Sequence, residues 1–281
     1  MRWLVALDVD GTLVDHDEVL SSAVREAVHD VVAAGHHVVV ATGRSLDSAS
    51  PVLGWLGLVA GEGGDGAGGD EAPLKPYVSP MVCSNGAVTV QVDPALPGGH
   101  EVTDVVTFDP EPVLRLLVQD LPTAAFAVED VGIGFKVAGA FPEHELTGRI
   151  EHVAFEELLG APACRVVVRS PEHTPEDFLE ITSRLGLKGV NYSVGWSAWL
   201  DLAPEGVSKA SALEVVRQRL GVDPARTLAV GDGRNDLEML RWAARGVAMG
   251  QAPAEVREAA DEVTGTVVED GVAAVLATLP R

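Results

Sequence analysis

The octapeptide "LDVDGTLV", Leu7 to Val14, closes the short apolar run Trp3 to Leu7, which reads as a buried strand. Two aspartates, Asp8 and Asp10, and then Gly-Thr follow where a core strand would be expected to turn away. A carboxylate beside a hydrophobic core is costly unless something pairs with it. The plain alternative is a strand that ends in an Asx-type turn at Asp10-Gly11. These residues alone do not decide between the two, and the rest of the chain has to.

Working outward, "SSAVREAVHDVVAAG" (Ser21 to Gly35) has helical spacing, a serine cap and a terminal glycine. Val38 to Ala41 reads as a buried strand, Ser45 to Leu53 as a helix, and "YVSPMVCSNGAVTVQV" as a strand ending near Ser84. This β-α-β-α-β order predicts a parallel sheet with helices on its faces. From about Val88 the texture becomes partly alternating and strand-rich, with helical stretches near Glu111–Asp120 and Pro175–Leu185. Near Ala203 the first texture resumes. The expected architecture is an α/β, Rossmann-like parallel-sheet core, residues 1–87 and 204–281, with an inserted α+β cap at 88–203. The glycine-rich stretch Gly61–Pro73 has no Gly-Lys-Ser/Thr and four acidic residues, so it reads as a surface loop rather than a phosphate cradle.

The chain has 281 residues and a formal net charge of −22, with a pI of about 4.6. Such a surface repels nucleic acid and anionic membranes, so neither is an expected partner. Any anion site must be built locally. Lysine is scarce, at Lys75, Lys136, Lys188 and Lys209 only, so a lysine within a motif is informative. Two cysteines, Cys83 and Cys164, are too few for a disulfide framework or a zinc cage. No stretch has the length of a signal core or membrane span. A soluble cytoplasmic protein, monomeric or homodimeric, is the expectation.

In parallel α/β sheets, ligands bind beyond the carboxyl ends of the strands. Those ends are Asp8-Val9-Asp10, Thr42-Gly43-Arg44, Ser84-Asn85-Gly86 and "GDGRND", Gly231 to Asp236, with Lys209 in "GVSK" nearby. All are small and polar. Phosphoryl transfer through a carboxylate needs such a set. Asp8 and Asp10, two apart on a strand, lean to one side and stand about 6.5 Å apart along the chain. Asp8 can attack phosphorus and carry the phosphoryl group. Asp10 can protonate the leaving alcohol and then activate water. Asp232 and Asp236 add two carboxylates. Unit charges 4 Å apart repel by about 4 kcal/mol at an effective dielectric of 20. A cation is therefore expected, and few protein ligands with a phosphate oxygen suit Mg²⁺. Lys209 and Thr42 would offset charge on the transferring group.

Together, "DVDGTL", "TGRS", "SNGA", "GVSK" and "GDGRNDLEML" resemble the haloacid dehalogenase superfamily. Their order, and the tail "GVAMGQAPAEVREAADEVTGTVVEDGVA", is similar to that of its Cof-like, subfamily IIB, phosphatases. Any one motif alone is weak, but the set is specific and spans nearly all of the core. The resemblance implies a Mg²⁺-dependent phosphatase for small phosphate monoesters, with Asp8 as nucleophile and Asp10 as acid/base. It implies Mg²⁺ on the carboxylates of Asp8 and Asp232 and the backbone carbonyl of Asp10. It also implies Asp236 at the metal or behind Lys209. Thr42 and Lys209 match its phosphate ligands, and Asn235 a contact to the phosphoryl group. Gly43, Arg44 and Asn85, at the neighbouring strand ends, complete the candidate phosphate site. Two departures are Ala210, where the family usually has glycine, and the longer Gly61–Pro73 loop.

Plainer readings stand beside several of these. Thr42 fits a helix cap, Arg44 a surface arginine, Asn85-Gly86 a turn, and Asp236 a first-turn acid favoured by the helix dipole. His36, His37, His144, His152 and His173 show no ligand pattern. Trp199 reads as core, and Trp196 as a turn residue that could face a cleft. A phosphomutase on the same scaffold is the alternative activity. A dehalogenase would leave Asp10 no proton to manage. A receiver-like phosphate acceptor would be much shorter and would lack the acid two residues on.

Overall fold

The computed structural model describes residues 2–59, 77–142, 145–194 and 199–281. The Gly61–Pro73 loop, Lys75, His144 and Trp196 lie outside them. The chain begins with β1 (Leu4–Leu7), α1 (Ser22–Ala33), β2 (His37–Val40), α2 (Leu46–Trp55), β3 (Ser79–Cys83), β4 (Val88–Val92) and β5 (His100–Val105). It continues through α3 (Glu111–Asp120), β6 (Ala125–Asp130), β7 (Gly134–Ala138), β8 (Arg149–His152), β9 (Val166–Arg169), α4 (Pro175–Leu185), β10 (Val190–Val194) and β11 (Trp199–Pro204). It closes with α5 (Lys209–Arg219), β12 (Thr227–Gly231), α6 (Leu237–Trp242), β13 (Arg245–Ala248), α7 (Ala254–Ala259), β14 (Glu262–Val263) and α8 (Gly271–Leu276).

The core sheet is parallel, in the order β14-β13-β12-β1-β2. Residues of β1 alternate between two packed faces. Val5 and Leu7 join Val24 and Val28 of α1 and Val275 of α8. Leu4 and Ala6 join Leu213 of α5 and Met239 of α6. Burial on both faces is why this strand is apolar throughout. The chain leaves β1 for β2 on one side and returns to β12 on the other, so a crevice opens at the carboxyl end of β1.

Beside β2 stands the antiparallel sheet β3-β4-β5, joined through a parallel bridge between Ala41 and Val82. The expected start of the cap at Val88 falls at the first residue of β4. That strand pairs with β3, and Val88, Val90 and Val92 pack into the core cluster. A separate cluster begins at Val113 in α3. Packing therefore divides between β5 and α3, later than the change of sequence texture.

The second sheet runs β10-β11-β9-β6-β7-β8 and is antiparallel except where β7 meets β8. Helices α3 and α4 cover one face, packing Leu114, Leu117 and Phe178 against Phe126, Val166, Leu200 and Leu202. On the other face, Phe135 packs with Leu146 and Trp199. Those three residues line a cleft whose opposite wall holds Asp8 and Asp10. This is the α/β core with an α+β cap that the sequence predicts.

Candidate active site

Four strand ends build the site, and backbone hydrogen bonds fasten two of them together. Thr42 N–H donates to Val82 O at 2.9 Å, Ser84 N–H to Arg44 O at 2.8 Å, and Asn85 N–H to Thr42 O at 3.1 Å. Asn235 Nδ2 donates to Asn85 Oδ1 at 3.0 Å, which brings in the end of β12. Gly43 lies under this pair, since a Cβ there would sit 3.1 Å from Asn85 Oδ1 and 3.4 Å from Asn235 Nδ2. The structure thus brings Thr42, Gly43, Asn85 and Asn235 together, as the sequence predicts.

At the centre lies Lys209, wholly buried at the start of α5. Its Nζ donates to Asp8 Oδ1 at 2.6 Å and to Asp236 Oδ1 at 2.7 Å. Asp236 Oδ2 accepts from the N–H groups of Asp232 and Gly233, at 3.0 and 2.9 Å. Both oxygens of Asp236 are thereby engaged. It orients Lys209 and shapes the loop that presents Asp232, and this accounts for its place more fully than a generic first-turn acid does. Ala210 falls in the first turn of α5, where alanine needs no special conformation.

Asp10 departs from the expected geometry. Its carboxylate does not lean with that of Asp8 but turns to Arg44, whose Nη2 stands 2.6 Å from Oδ1. The reason is local. The strand ends at Leu7, and the N–H groups of Thr12, Leu13 and Val14 all donate to Val9 O. The tight turn breaks the two-residue alternation that would set the two carboxylates side by side. Arg44 also pairs with Glu18 at 2.8 Å and stands 5.9 Å from the Trp55 ring centre. It lines the cleft and is not a plain surface arginine. The Thr42 hydroxyl accepts from Arg44 N–H at 3.0 Å within the turn before α2, whose N-cap is Ser45 and not Thr42.

Among the described residues, Asp8, Asp232 and Asp236 form the one carboxylate group close enough to share a cation. The carboxylate of Asp10 is not part of it. The charge balance fits a divalent ion, because three buried carboxylates face a single lysine. Burial first, and then Asp236, raises Asp8 well above the usual carboxylate range, although Lys209 opposes this. Burial and Asp236 likewise push Asp232 up to about 7. Burial works against the charge on Lys209, but Asp236 and Asp8 outweigh it and hold its pKa above the ordinary value.

A sequence profile of the haloacid dehalogenase-like hydrolases matches residues 5–97 and 141–276. The chain belongs to that family. YkrA of Bacillus subtilis is 30% identical over 272 residues, covering 96% of this chain and 95% of YkrA. The 5-amino-6-(5-phospho-D-ribitylamino)uracil phosphatase YitU of the same organism is 26% identical over 281 residues, covering 96% and 95%. Among solved structures, the haloacid dehalogenase subclass IIB sugar phosphatase BT4131 superposes with a TM-score of 0.76 at 22% identity, covering 98% of each chain. That likeness is one of fold.

Sequence reasoning on this hydrolase missed several residues of the site. Gln251 Nε2 donates to Gly11 O and, at 3.3 Å, to Asp232 Oδ2. It stands three residues past the end of β13, and its contacts arise only in the folded chain. Gly11, which the sequence marks as the glycine of a sharp turn close to the ligand, has φ +76°, and a Cβ there would lie 2.1 Å from Asp232 Oδ2, so only glycine admits that carboxylate. Glu129, Arg165 and Asp201 had no motif to mark them.

Proposed function

We propose that this phosphatase hydrolyses small phosphate monoesters, sugar phosphates or similar metabolites, through an aspartyl phosphate on Asp8. The observation that carries the reading is Lys209, buried and shared between Asp8 and Asp236 at the carboxyl end of β1. A fixed cation touching a buried strand-end carboxylate is what a nucleophile meeting a phosphoryl group requires. The names of YitU, a ribitylaminouracil phosphatase, and of BT4131, a sugar phosphatase, support esters of this class.

Asp8 would attack phosphorus, the bond to the leaving oxygen would break, and Asp10 would give that oxygen a proton. Asp10 would then take a proton from water as it attacks the aspartyl phosphate, releasing inorganic phosphate and restoring Asp8. Arg44 holds the Asp10 carboxylate at the cleft wall, and to serve the leaving oxygen Asp10 would have to turn from that pair. Lys209, Thr42 and Asn235 would neutralise and orient the phosphoryl oxygens. The carboxylates of Asp8 and Asp232, with the carbonyl of Asp10, would hold Mg²⁺, which when bound supplies positive charge to the transferring group. Asp236 acts through Lys209 and the Asp232 backbone.

Among the described residues no helix is long and apolar enough to cross a membrane. We read the enzyme as cytoplasmic, a monomer or homodimer acting on diffusible esters. Phosphate release from an aryl phosphate is the test. It is expected to need Mg²⁺, to stop in excess chelator and to proceed without a bisphosphate activator. Full activity in chelator refutes the metal assignment, and dependence on a bisphosphate favours a mutase.

A further inference from the structure

Across the cleft from Asp8, a chain of paired polar side chains that phosphoryl transfer does not use runs from the core strand end at Ser84 into the cap. Ser84, at the end of β3, donates its hydroxyl to Glu129 Oε1 and Oε2 at 2.9 and 2.8 Å. Glu129 faces Arg165 Nη1 at 3.9 Å. Arg165 Nε donates to Asp201 Oδ1 at 2.6 Å, and Trp199 Nε1 donates to Asp201 Oδ2 at 3.0 Å. Arg165 is only 7% exposed, yet it lines the cleft together with Asp201 and Trp199. Beside them Glu145, also lining the cleft, pairs with Arg169 at 3.0 Å.

The charges are unevenly placed. Among the described residues, six carboxylates and three arginines line the cleft. Each of those arginines already faces a carboxylate. Arg44 has Asp10 and Glu18, Arg165 has Asp201 and Glu129, and Arg234 has Glu255. Lys209 is wholly buried and already paired with Asp8 and Asp236. Among the described residues, no cation lining the cap end is left over for a second anion. Asp201 and Arg165 instead offer an acceptor beside a donor. A neutral hydroxyl matches both, because it can donate and accept. A carboxylate or second phosphate only accepts, and it would face Asp201 and Glu145 as like charges.

We infer that Arg165 and Asp201 select the leaving alcohol by its charge. The cleft takes phosphate esters of neutral or cationic hydroxyl-bearing alcohols and turns away esters with a second anionic group. This rests on the phosphatase reading above. A purely structural ion pair predicts something else, namely that its loss destabilises the cap without changing preference.

The test uses hydrolysis of an aryl phosphate as reporter and measures competition by three esters of one carbon skeleton. Glucose 6-phosphate has a neutral leaving group, glucosamine 6-phosphate a cationic one and 6-phosphogluconate an anionic one. The inhibition constant of 6-phosphogluconate is expected to be about tenfold or more weaker than that of the other two, as one unrelieved like-charge contact implies. Asp201→Asn should narrow that ratio to about threefold, and Glu145→Gln should narrow it independently should the first variant fold poorly. Equal constants for the three probes, whether tight or too weak to measure, overturn the inference. So does an unchanged ratio in both variants. An enzyme that releases no phosphate from the aryl ester overturns the phosphatase reading itself, and this selectivity with it.

Discussion

At Asp232, burial and the Asp236 carboxylate raise the pKa from 3.8 to about 7, and this has a consequence for stability. The folded chain without metal keeps a proton that the unfolded chain releases above about pH 4. The stability linked to this group is therefore full below pH 4 and is lost as pH rises through about 7. Asp8 is raised in the same direction. A cation that takes the place of those protons should stabilise most where they are already gone. Thermal unfolding with and without Mg²⁺ should show a larger rise in Tm at pH 8 than at pH 5. With Mg²⁺ at about 100 times its Kd, the rise at pH 8 should be about 5–10 °C. An equal shift at both pH values would remove Asp8 and Asp232 as the metal's ligands. Asp8, Lys209 and Asp232 are legible in the sequence because each is a polar residue where an apolar strand ends or a helix begins. The direction of the Asp10 side chain is not legible, since it depends on how the Val9–Val14 turn closes. Gln251 is hidden for a different reason. It works through single contacts to Gly11 and Asp232 that only the folded chain creates.

Among the elements, the Ser84–Gly86 turn packs directly against the start of α5, which carries Lys209. Gly86 has φ +100°, and a Cβ on it would lie 2.2 Å from Ser208 O and 3.1 Å from Lys209 N. Any side chain there would displace the first turn of α5, and with it Lys209. Gly86→Ala should cost on the order of 1–3 kcal/mol in stability. It should also lower kcat by about 10²-fold, as small misplacements of reacting groups do. Gly221→Ala is the control, with φ +65° and no atom within 4 Å of the added Cβ. It should cost stability through backbone strain and leave kcat unchanged, as chemical denaturation and steady-state kinetics on the two variants can check. Equal kcat in both would mean that this junction does not position Lys209. The parallel strands β1, β2 and β12 are readable from sequence because burial on both faces makes them continuously apolar. The β3–β4–β5 sheet reads otherwise. The alternation in β4 and β5 looks like the cap strands that follow, and only pairing with β3 assigns them to the core.

The whole molecule places a cleft of about 360 Å³ between the parallel core and the helix-free face of the cap sheet. The insertion of a second unit is legible in the change of texture and in the return of the first texture near Ala203. What that unit recognises is not, because Glu129, Asp201 and Arg165 come from β6, β11 and the approach to β9, and only the sheet order brings them together. On the proposed reading the chemistry belongs to the core and the choice of alcohol to the cap, and both would depend on a phosphoryl group passing through Asp8. Trapping that intermediate tests the account most directly. Enzyme turning over an aryl phosphate with Mg²⁺ is quenched in acid and digested, and the phosphate is located by mass spectrometry. Phosphate is expected on Asp8 and none in Asp8→Asn, which should fold normally but lose on the order of 10³-fold or more of kcat. In Asp10→Asn the phosphorylated form should accumulate, because hydrolysis of the intermediate slows by about 10²–10⁴-fold. Phosphate release by Asp8→Asn at close to the native rate, or a trapped phosphate on any other residue, would contradict an intermediate on Asp8.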